Sequence, residues 1–327
     1  MVRVTATFEA NQTGMPEPAR FLGSDGGLLQ PAPQLAADPE GLVAGYKAMV
    51  RVRSFDEKAI ALQRTGRLGT YASSLGQEAV GVGVAQMMEA RDVFVPSFRE
   101  QAAQLLRGVT MKELLLYWGG DERGSDFGSA RSDFPVCIPV ASHFPHAVGV
   151  ALAFKLRNEP RVAVAVAGDG ATSKGDFYEA LNMAGVWEVP TVFVIANNQW
   201  AISVRRANQS AAKTLAQKAV AAGLPGIQVD GNDLIAVRDA MNQAVAQART
   251  GGGASVVECL TYRLGDHTTA DDASRYRDPE EVAPNWKVEP VARLRAYLVA
   301  NGIWSKSDER NLIDACRSEV EEAAEAY

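Results

Sequence analysis

Cysteine and histidine are both scarce in this sequence, with three residues of each among 327. Cys137, Cys259 and Cys316 are odd in number and far apart along the chain, which argues against a disulfide framework. The same scarcity argues against a zinc site built from clustered cysteine and histidine side chains. We therefore expect a reducing environment, and the cytoplasm is the simplest location for such a chain.

Long apolar runs and an excess of positive charge are also missing. No run approaches the roughly 18 consecutive apolar residues that a membrane-spanning helix requires, so we expect no membrane partner. The opening residues, MVRVTATFEANQTG, contain no apolar core of a signal peptide, and none is predicted. The formal net charge of −6 and the pI near 5.3 argue against nucleic acid or an anionic membrane as the main partner.

Composition divides the chain into three predicted regions. Residues 1–36 are rich in glycine, proline and alanine, which is typical of an extended N-terminal arm with little structure of its own. Asp38 and Pro39 then supply a helix N-cap and a first-turn proline, so a long helix is expected to begin there. We predict a main α/β domain over residues 37–283 and a C-terminal helical segment over residues 284–327.

Short apolar runs alternate with helical patterns in the second half of the chain. VAVAVAG, TVFVIA, GIQVDG and SVVECLTYR are typical of buried strands, and amphipathic segments such as DFYEALNMAGVW lie between them. Alternation of this kind predicts a mostly parallel sheet with helices on both faces. The expected fold class is therefore α/β, with the extended N-terminal arm and the C-terminal helices as additions.

Two polar motifs come directly after consecutive predicted strands. Gly168-Asp169-Gly170 follows the first strand, and Asn197-Asn198 follows the second. Ligands of open α/β sheets bind beyond the carboxyl ends of the strands, so Asp169 and Asn198 are expected to face a common point. One carboxylate and one amide oxygen suit Mg²⁺, which binds few protein ligands together with phosphate oxygens and water. The spacing therefore predicts a metal-bridged diphosphate site.

Other phosphate-binding motifs are incomplete in this chain. GDGATS lacks the third glycine of the dinucleotide fingerprint GxGxxG, and no GxxxxGK[ST] sequence occurs. The alternative interpretation of the two polar motifs is a tight turn at GDG and an ordinary loop at the two asparagines, without a ligand.

Several further segments accompany these motifs. They are VPSFREQ, LGQEA, GDGATSKGDFYEALNMAG, ANNQWAIS, KTLAQKAVAAGLPGIQVDGND and TYRLGDHTTADDASRYRDPEE. Together they resemble the alpha subunit of the thiamine-diphosphate-dependent 2-oxo acid dehydrogenases, closest to the bacterial pyruvate type, from about residue 38 to the end. The resemblance implies the thiamine-diphosphate-binding fold and two cofactors, thiamine diphosphate and Mg²⁺.

The resemblance also implies which residues form the site. Asp169, the Asn198 side chain and the Trp200 carbonyl would ligate Mg²⁺. Arg99 would pair with the diphosphate, and His267 would reach both the diphosphate and the reacting centre as a catalytic residue. The implied cofactor-binding residues are Phe98, Arg99, Ile138, Val140, Gly168, Asp169, Gly170, Ala171, Asn198 and His267.

Several positions depart from the usual pattern of this family. Phe98 stands where a tyrosine is usual, so a hydroxyl contact to phosphate is expected to be lost. His143 and His146 stand where relatives often carry glutamine, and either imidazole would fill the same hydrogen-bonding place. His143 is alternatively interpreted as a second catalytic residue in proton transfer or as a packing residue at a helix start. Asp266 directly precedes His267, and we expect its carboxylate to raise the His267 pKa.

The activity implied by the resemblance is oxidative decarboxylation of a 2-oxo acid, with pyruvate as the expected substrate. The acyl group would pass to the lipoyl group of a dihydrolipoamide acyltransferase within a multienzyme complex. No segment matches the pyrimidine-binding half of such a site, so the glutamate that serves the cofactor ring is expected from a beta subunit in an α₂β₂ heterotetramer.

Two alternatives to this function remain open at the level of the sequence. One is the alpha subunit of a branched-chain 2-oxo acid or acetoin dehydrogenase, and the other is a non-catalytic, cofactor-binding scaffold subunit. Residues 69–76, GTYASSLG, are expected to form a wall of the substrate pocket. Their small side chains do not by themselves select pyruvate over larger acids.

Overall fold

The chain folds around a parallel β-sheet, which the computed structural model describes together with the rest of residues 17–327. The strands are β1 (Val93–Val95), β2 (Ala163–Gly168), β3 (Thr191–Asn197), β4 (Trp200–Ala201), β5 (Val204–Arg205), β6 (Gly226–Asp230) and β7 (Ser255–Leu260). Five of them form one sheet in the order β1-β2-β3-β7-β6, and every neighbouring pair is parallel. β4 and β5 form a separate antiparallel ribbon. The predicted mostly parallel sheet is confirmed.

Helices make up most of the remaining structure. They are α1 (Pro39–Arg64), α2 (Glu78–Met87), α3 (Gln101–Leu106), α4 (Met111–Trp118), α5 (His143–Leu156), α6 (Gly175–Trp187), α7 (Arg206–Gln209), α8 (Leu234–Arg249), α9 (Pro279–Trp286), α10 (Pro290–Ala300) and α11 (Lys306–Ala326). Short 3-10 segments lie at Glu122–Ser125, Asp169–Ser173, Ala216–Ala222 and Ala273–Arg275. Across the described part of the chain, no helix combines the length and the apolarity needed to cross a membrane.

The two faces of the sheet are covered by different helices, because its strands are apolar on both sides. Alternate residues of β2 point to opposite faces, so Ala165 and Val164 belong to different core clusters. Phe177 of α6 lies in the cluster with Ala165, as do residues of α5. Met241 of α8 lies in the cluster with Val164, as do residues of α2. The predicted covering of both faces is confirmed.

β1 is a strand that the sequence pattern does not indicate. It contains only three residues, Val93-Phe94-Val95, all buried, and it pairs with β2 at the edge of the sheet. A run of three residues is too short for periodicity to distinguish a strand from a loop. Its position nevertheless matters, because the chain continues from β1 into the segment that carries Phe98 and Arg99.

A third core cluster joins the C-terminal helices to α1. Leu42 and Phe55 of α1 share this cluster with Leu298 of α10 and Val320 of α11. The C-terminal helices are confirmed, and they pack against the first helix of the main region. The predicted domain boundaries at residues 36/37 and 283/284 stay a prediction, since shared packing does not by itself define a domain.

The described part of the predicted arm, residues 17–36, is anchored to the body; residues 1–16 lie outside the described residues. Ala19 forms an isolated parallel bridge with Val229 of β6. One carboxylate oxygen of Asp233 accepts hydrogen bonds from the amides of Phe21 and Leu22 at 2.6 and 2.7 Å, and the other oxygen caps α8. Asp233 therefore joins the arm to the start of a helix that covers the sheet.

Replacing Asp233 with alanine tests this anchor. The change leaves buried backbone amides of the arm without an acceptor and removes the N-cap of α8. We expect Asp233→Ala to lower the free energy of unfolding by about 3 kcal/mol, since a lost cap costs about 1 kcal/mol and a buried unsatisfied amide costs about 1–3 kcal/mol. Denaturant unfolding measures the difference.

The control for this variant is Asp239→Ala on the same helix. The Asp239 carboxylate accepts a hydrogen bond from exposed Gln243 and contacts neither the arm nor the cap. A loss of stability in Asp233→Ala no larger than in the control would contradict the anchoring role.

Candidate active site

The site begins where β2 and β3 end. These strands are parallel neighbours, and Gly168 lies opposite Ala196 in their register. The chain leaves both strands at the same edge of the sheet, so Asp169 and Asn198 emerge next to each other, and both are buried. The crossover through α6 makes this placement possible, because it returns the chain to the starting edge of the sheet.

A cavity of about 470 Å³ opens at this edge. Every residue predicted to bind the cofactor or the metal lines it, whereas the predicted catalytic residue His143 does not. The predicted residues that line it are Phe98, Arg99, Ile138, Val140, Gly168, Asp169, Gly170, Ala171, Asn198, Trp200 and His267. Residues from at least five separate segments of the chain thus meet in one cavity, which is the arrangement expected of a ligand site rather than of a simple turn.

His143 lies away from the cavity lining, at the first position of α5. It is buried, its ring stacks on Phe144, and its Nε2 lies 3.0 Å from the carbonyl oxygen of Val166 in β2. Burial lowers the His143 pKa from 6.5 to about 4. The geometry matches the interpretation of a packing residue at a helix start, and it gives the catalytic interpretation of His143 no support.

Three kinds of oxygen atom belong to Asp169, Asn198 and Trp200, which line the same cavity. Its Oδ2 accepts a hydrogen bond from Gln209 at 2.9 Å, whereas its buried Oδ1 has no hydrogen-bond partner among the described residues. The Asn198 side-chain oxygen accepts a weak hydrogen bond from the Trp200 amide at 3.3 Å. The Trp200 carbonyl accepts one from Arg263 at 3.3 Å. A carboxylate, an amide oxygen and a carbonyl are the ligand types that a hard cation prefers.

No denser set of metal ligands competes with this one. Residues 17–327 contain no group of three or more His, Cys, Asp or Glu side chains that could hold a metal ion. Burial raises the pKa of the Asp169 carboxyl, and the hydrogen bond from Gln209 opposes that rise. A buried carboxylate oxygen without a partner is costly. The residues present therefore fit a bound cation, which would supply the missing partner.

Two buried guanidinium groups give the other side of the cavity a positive charge. Arg99 donates hydrogen bonds to the carbonyl oxygens of Ser73 at 2.6 Å and His267 at 2.8 Å. Arg263 donates to the carbonyl of Ile202 at 2.9 Å. These partners are neutral, and burial together with the Arg263 charge lowers the Arg99 pKa to about 10. Two adjacent cations held by neutral groups suit an anionic ligand such as a diphosphate.

His267 lies between the two guanidinium groups. Its Nδ1 is 3.2 Å from Arg99 Nη2 and 3.3 Å from Arg263 Nη1, so Nδ1 acts as the acceptor and the proton resides on Nε2. Burial, Arg99 and Arg263 together lower the His267 pKa to about 4. The expectation that Asp266 raises this pKa is therefore wrong. Asp266 is exposed, and its carboxylate accepts a hydrogen bond from the Ala273 amide at 3.0 Å.

The remaining walls are apolar or formed by backbone. The Phe98 ring packs edge-on against the His267 ring with their centroids 5.8 Å apart, and Ile138 and Val140 are partly exposed at the cavity rim. Gly170 lies close to the β4 segment, where an added Cβ would come within 2.7 Å of the Ala201 Cβ. Glycine at this position therefore permits a close approach of the two segments.

Residues 69–76 do not line the cavity, in contrast to their predicted role as a substrate-pocket wall. Tyr71 is fully buried, and its hydroxyl donates a hydrogen bond to Asp56. The carbonyl of Ser73 holds Arg99. Through Ser73, this segment supports a residue that lines the cavity.

Comparison with known proteins identifies the family. The family described as Dehydrogenase E1 component matches residues 46–326, which is most of the chain. The chain belongs to this family. The pyruvate dehydrogenase E1 component subunit alpha of Acholeplasma laidlawii is 43% identical over 284 residues, which cover 86% of this chain and 82% of that relative. The corresponding subunit of Mycoplasma genitalium is 39% identical over 302 residues, with coverages of 92% and 84%.

A relative that is named for a different substrate is about as similar to this chain. The 3-methyl-2-oxobutanoate dehydrogenase subunit alpha of Mycobacterium tuberculosis is 40% identical over 311 residues, which cover 94% of this chain and 85% of that relative. The dehydrogenase E1 family is thiamine diphosphate-dependent. Membership in it agrees with the resemblance found in the sequence motifs.

Several residues of the E1 cavity do not follow from the sequence motifs alone. Gln77, Glu100 and Lys174 line it. Gln209 contacts the predicted metal ligand Asp169, and Arg263 contacts the predicted catalytic residue His267. Gln77 and Arg263 lie inside the motif segments LGQEA and TYRLGDH, which is a signal that they belong to the site. Gln209 lies outside the quoted segments, and only the folded chain places it beside Asp169.

The lowered pKa of His143 predicts that the folded chain becomes less stable at acidic pH. Between pH 6.5 and 4 the unfolded chain binds a proton at this imidazole and the folded chain does not, so stability falls as the pH falls. Because of this residue, we expect the free energy of unfolding to be about 1–2 kcal/mol lower at pH 5 than at pH 7. In His143→Gln, denaturant unfolding at the two pH values should show a correspondingly smaller difference.

Exposed His146→Gln is the comparison variant, and its effect is expected to be smaller than that of His143→Gln because the His146 charge is only the last of the causes that lower the His143 pKa. A pH difference that is the same in wild type and His143→Gln would contradict the effect of burial at this position.

Proposed function

We propose that this chain is the alpha subunit of an E1 component that decarboxylates pyruvate and transfers the acyl group to a lipoyl group. The observation that carries the proposal is the single cavity that joins Asp169 and Asn198 to the guanidinium group of Arg99. One side of this cavity offers oxygen ligands for a cation, and the other offers positive charge for an anion. That pairing suits a metal-bound diphosphate.

The proposed cofactor contacts follow from the position of each residue. Asp169, the Asn198 side chain and the Trp200 carbonyl would hold Mg²⁺. Gly168 ends β2, and the backbone amides of Gly170 and Ala171 would receive the diphosphate. Arg99 and His267 would bind the diphosphate from the other side, and the backbone near Ile138 and Val140 would line the aminopyrimidine ring. Phe98 would contribute an apolar contact without a hydroxyl.

Bound thiamine diphosphate supplies a carbon nucleophile for the 2-oxo carbon and an acceptor for the electron pair that loss of CO₂ leaves. The contribution of this chain is to bind, to orient and to hold a proton. His267 is proposed as the catalytic residue, because its neutral imidazole keeps Nδ1 fixed by two guanidinium groups and carries its proton on Nε2. That proton can stabilise negative charge on a phosphate or on a reacting oxygen.

The carboxylates of this cavity do not provide the group that serves the cofactor ring. Glu100 accepts a hydrogen bond from the Arg99 amide at 2.8 Å, and burial raises the Glu100 pKa to about 7. Asp169 is assigned to the metal. Among the lining residues no further carboxylate faces the cavity to serve the cofactor ring. We therefore propose that a beta subunit supplies this group in an α₂β₂ assembly, and that a lipoyl-bearing dihydrolipoamide acyltransferase accepts the acyl group.

Pyruvate is the proposed substrate because relatives from several genera with high coverage carry it in their names. The relative from Mycobacterium tuberculosis, named for 3-methyl-2-oxobutanoate, makes a branched-chain acid the second candidate. We also propose a cytoplasmic location, which is supported by the free thiols of Cys137, Cys259 and Cys316.

The metal assignment is tested with Asp169→Asn. This change keeps the size of the side chain but removes the negative charge and one oxygen that a cation needs. We expect calorimetry to show that Mg²⁺-dependent binding of thiamine diphosphate weakens by at least about a hundredfold, since the carboxylate is the only charged ligand proposed. Asp266→Asn, at an exposed carboxylate of the neighbouring loop, is the control. Normal affinity in Asp169→Asn would refute the assignment.

The substrate assignment is tested by kinetics of the assembly with the beta subunit. We expect kcat/KM for pyruvate to exceed that for 3-methyl-2-oxobutanoate by at least about tenfold, because each added methylene group changes binding by about 1–3 kcal/mol in a pocket of fixed size. The chain without the beta subunit serves as the control and should show no turnover. Equal or reversed kcat/KM values would exclude the pyruvate assignment.

A further inference from the structure

We propose that two glutamines, Gln77 and Gln209, are positioning residues that orient the two side-chain ligands of the metal site. Gln209 fixes the carboxylate of Asp169, and Gln77 fixes the amide of Asn198. This inference rests on the proposed function, because it assumes that Asp169 and Asn198 hold a cation. Neither glutamine would touch the cation in this arrangement, and each acts through the ligand that it holds.

Gln209 determines which oxygen of Asp169 is free. Its Nε2 donates a hydrogen bond to Asp169 Oδ2 at 2.9 Å and a second one to the Val204 carbonyl at 3.2 Å. Its side-chain oxygen lies 3.6 Å from the place where a Cβ on Gly170 would stand, so the amide covers the turn after β2. With Oδ2 occupied, Oδ1 is the oxygen left without a partner in the described part of the chain. The carboxylate therefore presents one defined oxygen.

Gln77 orients the side-chain amide of Asn198 so that its oxygen is available to the proposed cation. Asn198 donates from Nδ2 to Gln77 Oε1 at 3.2 Å, and this places the amide oxygen of Asn198 on the opposite side. The weak hydrogen bond from the Trp200 amide to the Asn198 oxygen favours the same orientation, and the acceptor on Gln77 reinforces it. The orientation matters because an NH₂ group does not bind a metal ion. Gln77 lines the same cavity and is buried.

The segment that carries Gln77 is held firmly. The next residue, Glu78, is fully buried at the start of α2, and its carboxylate pairs with Arg53 at 2.6 Å. It also accepts a hydrogen bond from the Gly76 amide at 3.0 Å. Gln77 therefore projects from a rigid helix start, as a positioning residue must if it is to limit the motion of another side chain. Gln209 is held by its own second hydrogen bond, to Val204.

The physical reason for two such residues is the geometry that Mg²⁺ demands. Mg²⁺ requires nearly ideal octahedral coordination and short bonds, so a ligand that rotates freely loses affinity. Groups that hydrogen-bond to metal ligands typically change metal affinity about ten- to a hundredfold when they are removed. One ligand is an anion that needs a donor beside it, and the other is an amide that needs an acceptor. Glutamine supplies a donor in the first case and an acceptor in the second.

The test uses the full chain in its assembly with the beta subunit. Gln209→Met and Gln77→Met keep the length of the side chain and remove its hydrogen-bonding atoms. Mg²⁺ is titrated calorimetrically at saturating thiamine diphosphate. We expect each variant to raise the Mg²⁺ dissociation constant about ten- to a hundredfold. In Gln209→Met, excess Mg²⁺ should then restore kcat to near the wild-type value, because Gln209 does not line the cavity. Gln77 does line it, so for Gln77→Met the Mg²⁺ dissociation constant is the deciding measurement.

Gln243→Met is the matched control. Gln243 donates from Nε2 to Asp239 Oδ2 at 2.8 Å, so it makes the same type of hydrogen bond as Gln209, but on the exposed side of α8. A glutamine variant whose Mg²⁺ dissociation constant stays within about twofold of wild type, instead of rising at least about tenfold, overturns the role of that residue. A defect that excess Mg²⁺ does not restore, together with a lowered unfolding temperature, overturns it in favour of a purely structural role.

The outcomes separate this inference from the proposed function. Mg²⁺-dependent binding in wild type, its loss in Asp169→Asn and normal affinity in both glutamine variants would leave the proposed function standing and refute the positioning role. Absence of Mg²⁺-dependent binding in wild type would refute the proposed function and the positioning role with it.

Discussion

The parallel pairing of β2 with β3 is the constraint on which the site depends. Asp169 and Asn198 are almost thirty residues apart in sequence, and they meet only because α6 carries the chain back to the same edge of the sheet. The register between two hydrogen-bonded strands can change only by whole residues. A shift of one residue would turn every following side chain to the other face of the sheet. The buried apolar residues on both faces of these strands fix the register, so the hydrophobic core also determines the position of the polar site.

The site stores unfavourable electrostatic energy that a ligand would relieve. Arg99 and Arg263 are buried beside each other and donate hydrogen bonds to neutral groups, while within residues 17–327 Asp169 keeps a buried oxygen without a hydrogen bond. Buried charges of this kind reduce the stability of a folded chain unless they are compensated. A dianionic group bridged to a divalent cation would compensate both sides at once. His267 stays neutral between the two arginines, and this limits the positive charge that the fold must tolerate before a ligand binds.

Local patterns predicted the parts of this chain that depend on neighbouring residues along the sequence. Apolar runs indicated four of the five strands of the main sheet, and motif spacing indicated Asp169 and Asn198. The other predicted residues that line the cavity were implied by the resemblance to the family. The patterns failed where the outcome depends on distant residues. The pKa of His267 is governed by Arg99 and Arg263 and not by the adjacent Asp266, because side chains that are consecutive in a loop point in different directions. His143 is similar, since only the packing of α5 against β2 decides that it is buried.

The rim of the cavity carries large apolar side chains that are exposed to solvent. Ile138 and Ile202 are 52% and 56% exposed there, although large apolar side chains usually avoid water. Both lie beside the cavity and outside the sheet core, so their exposure does not open the hydrophobic interior. In the proposed assembly a beta subunit would cover these side chains and bring a carboxylate to the cofactor ring in the same step. Burial of the apolar rim would then favour association, and association would complete the site, so that water is excluded only when every catalytic group is present.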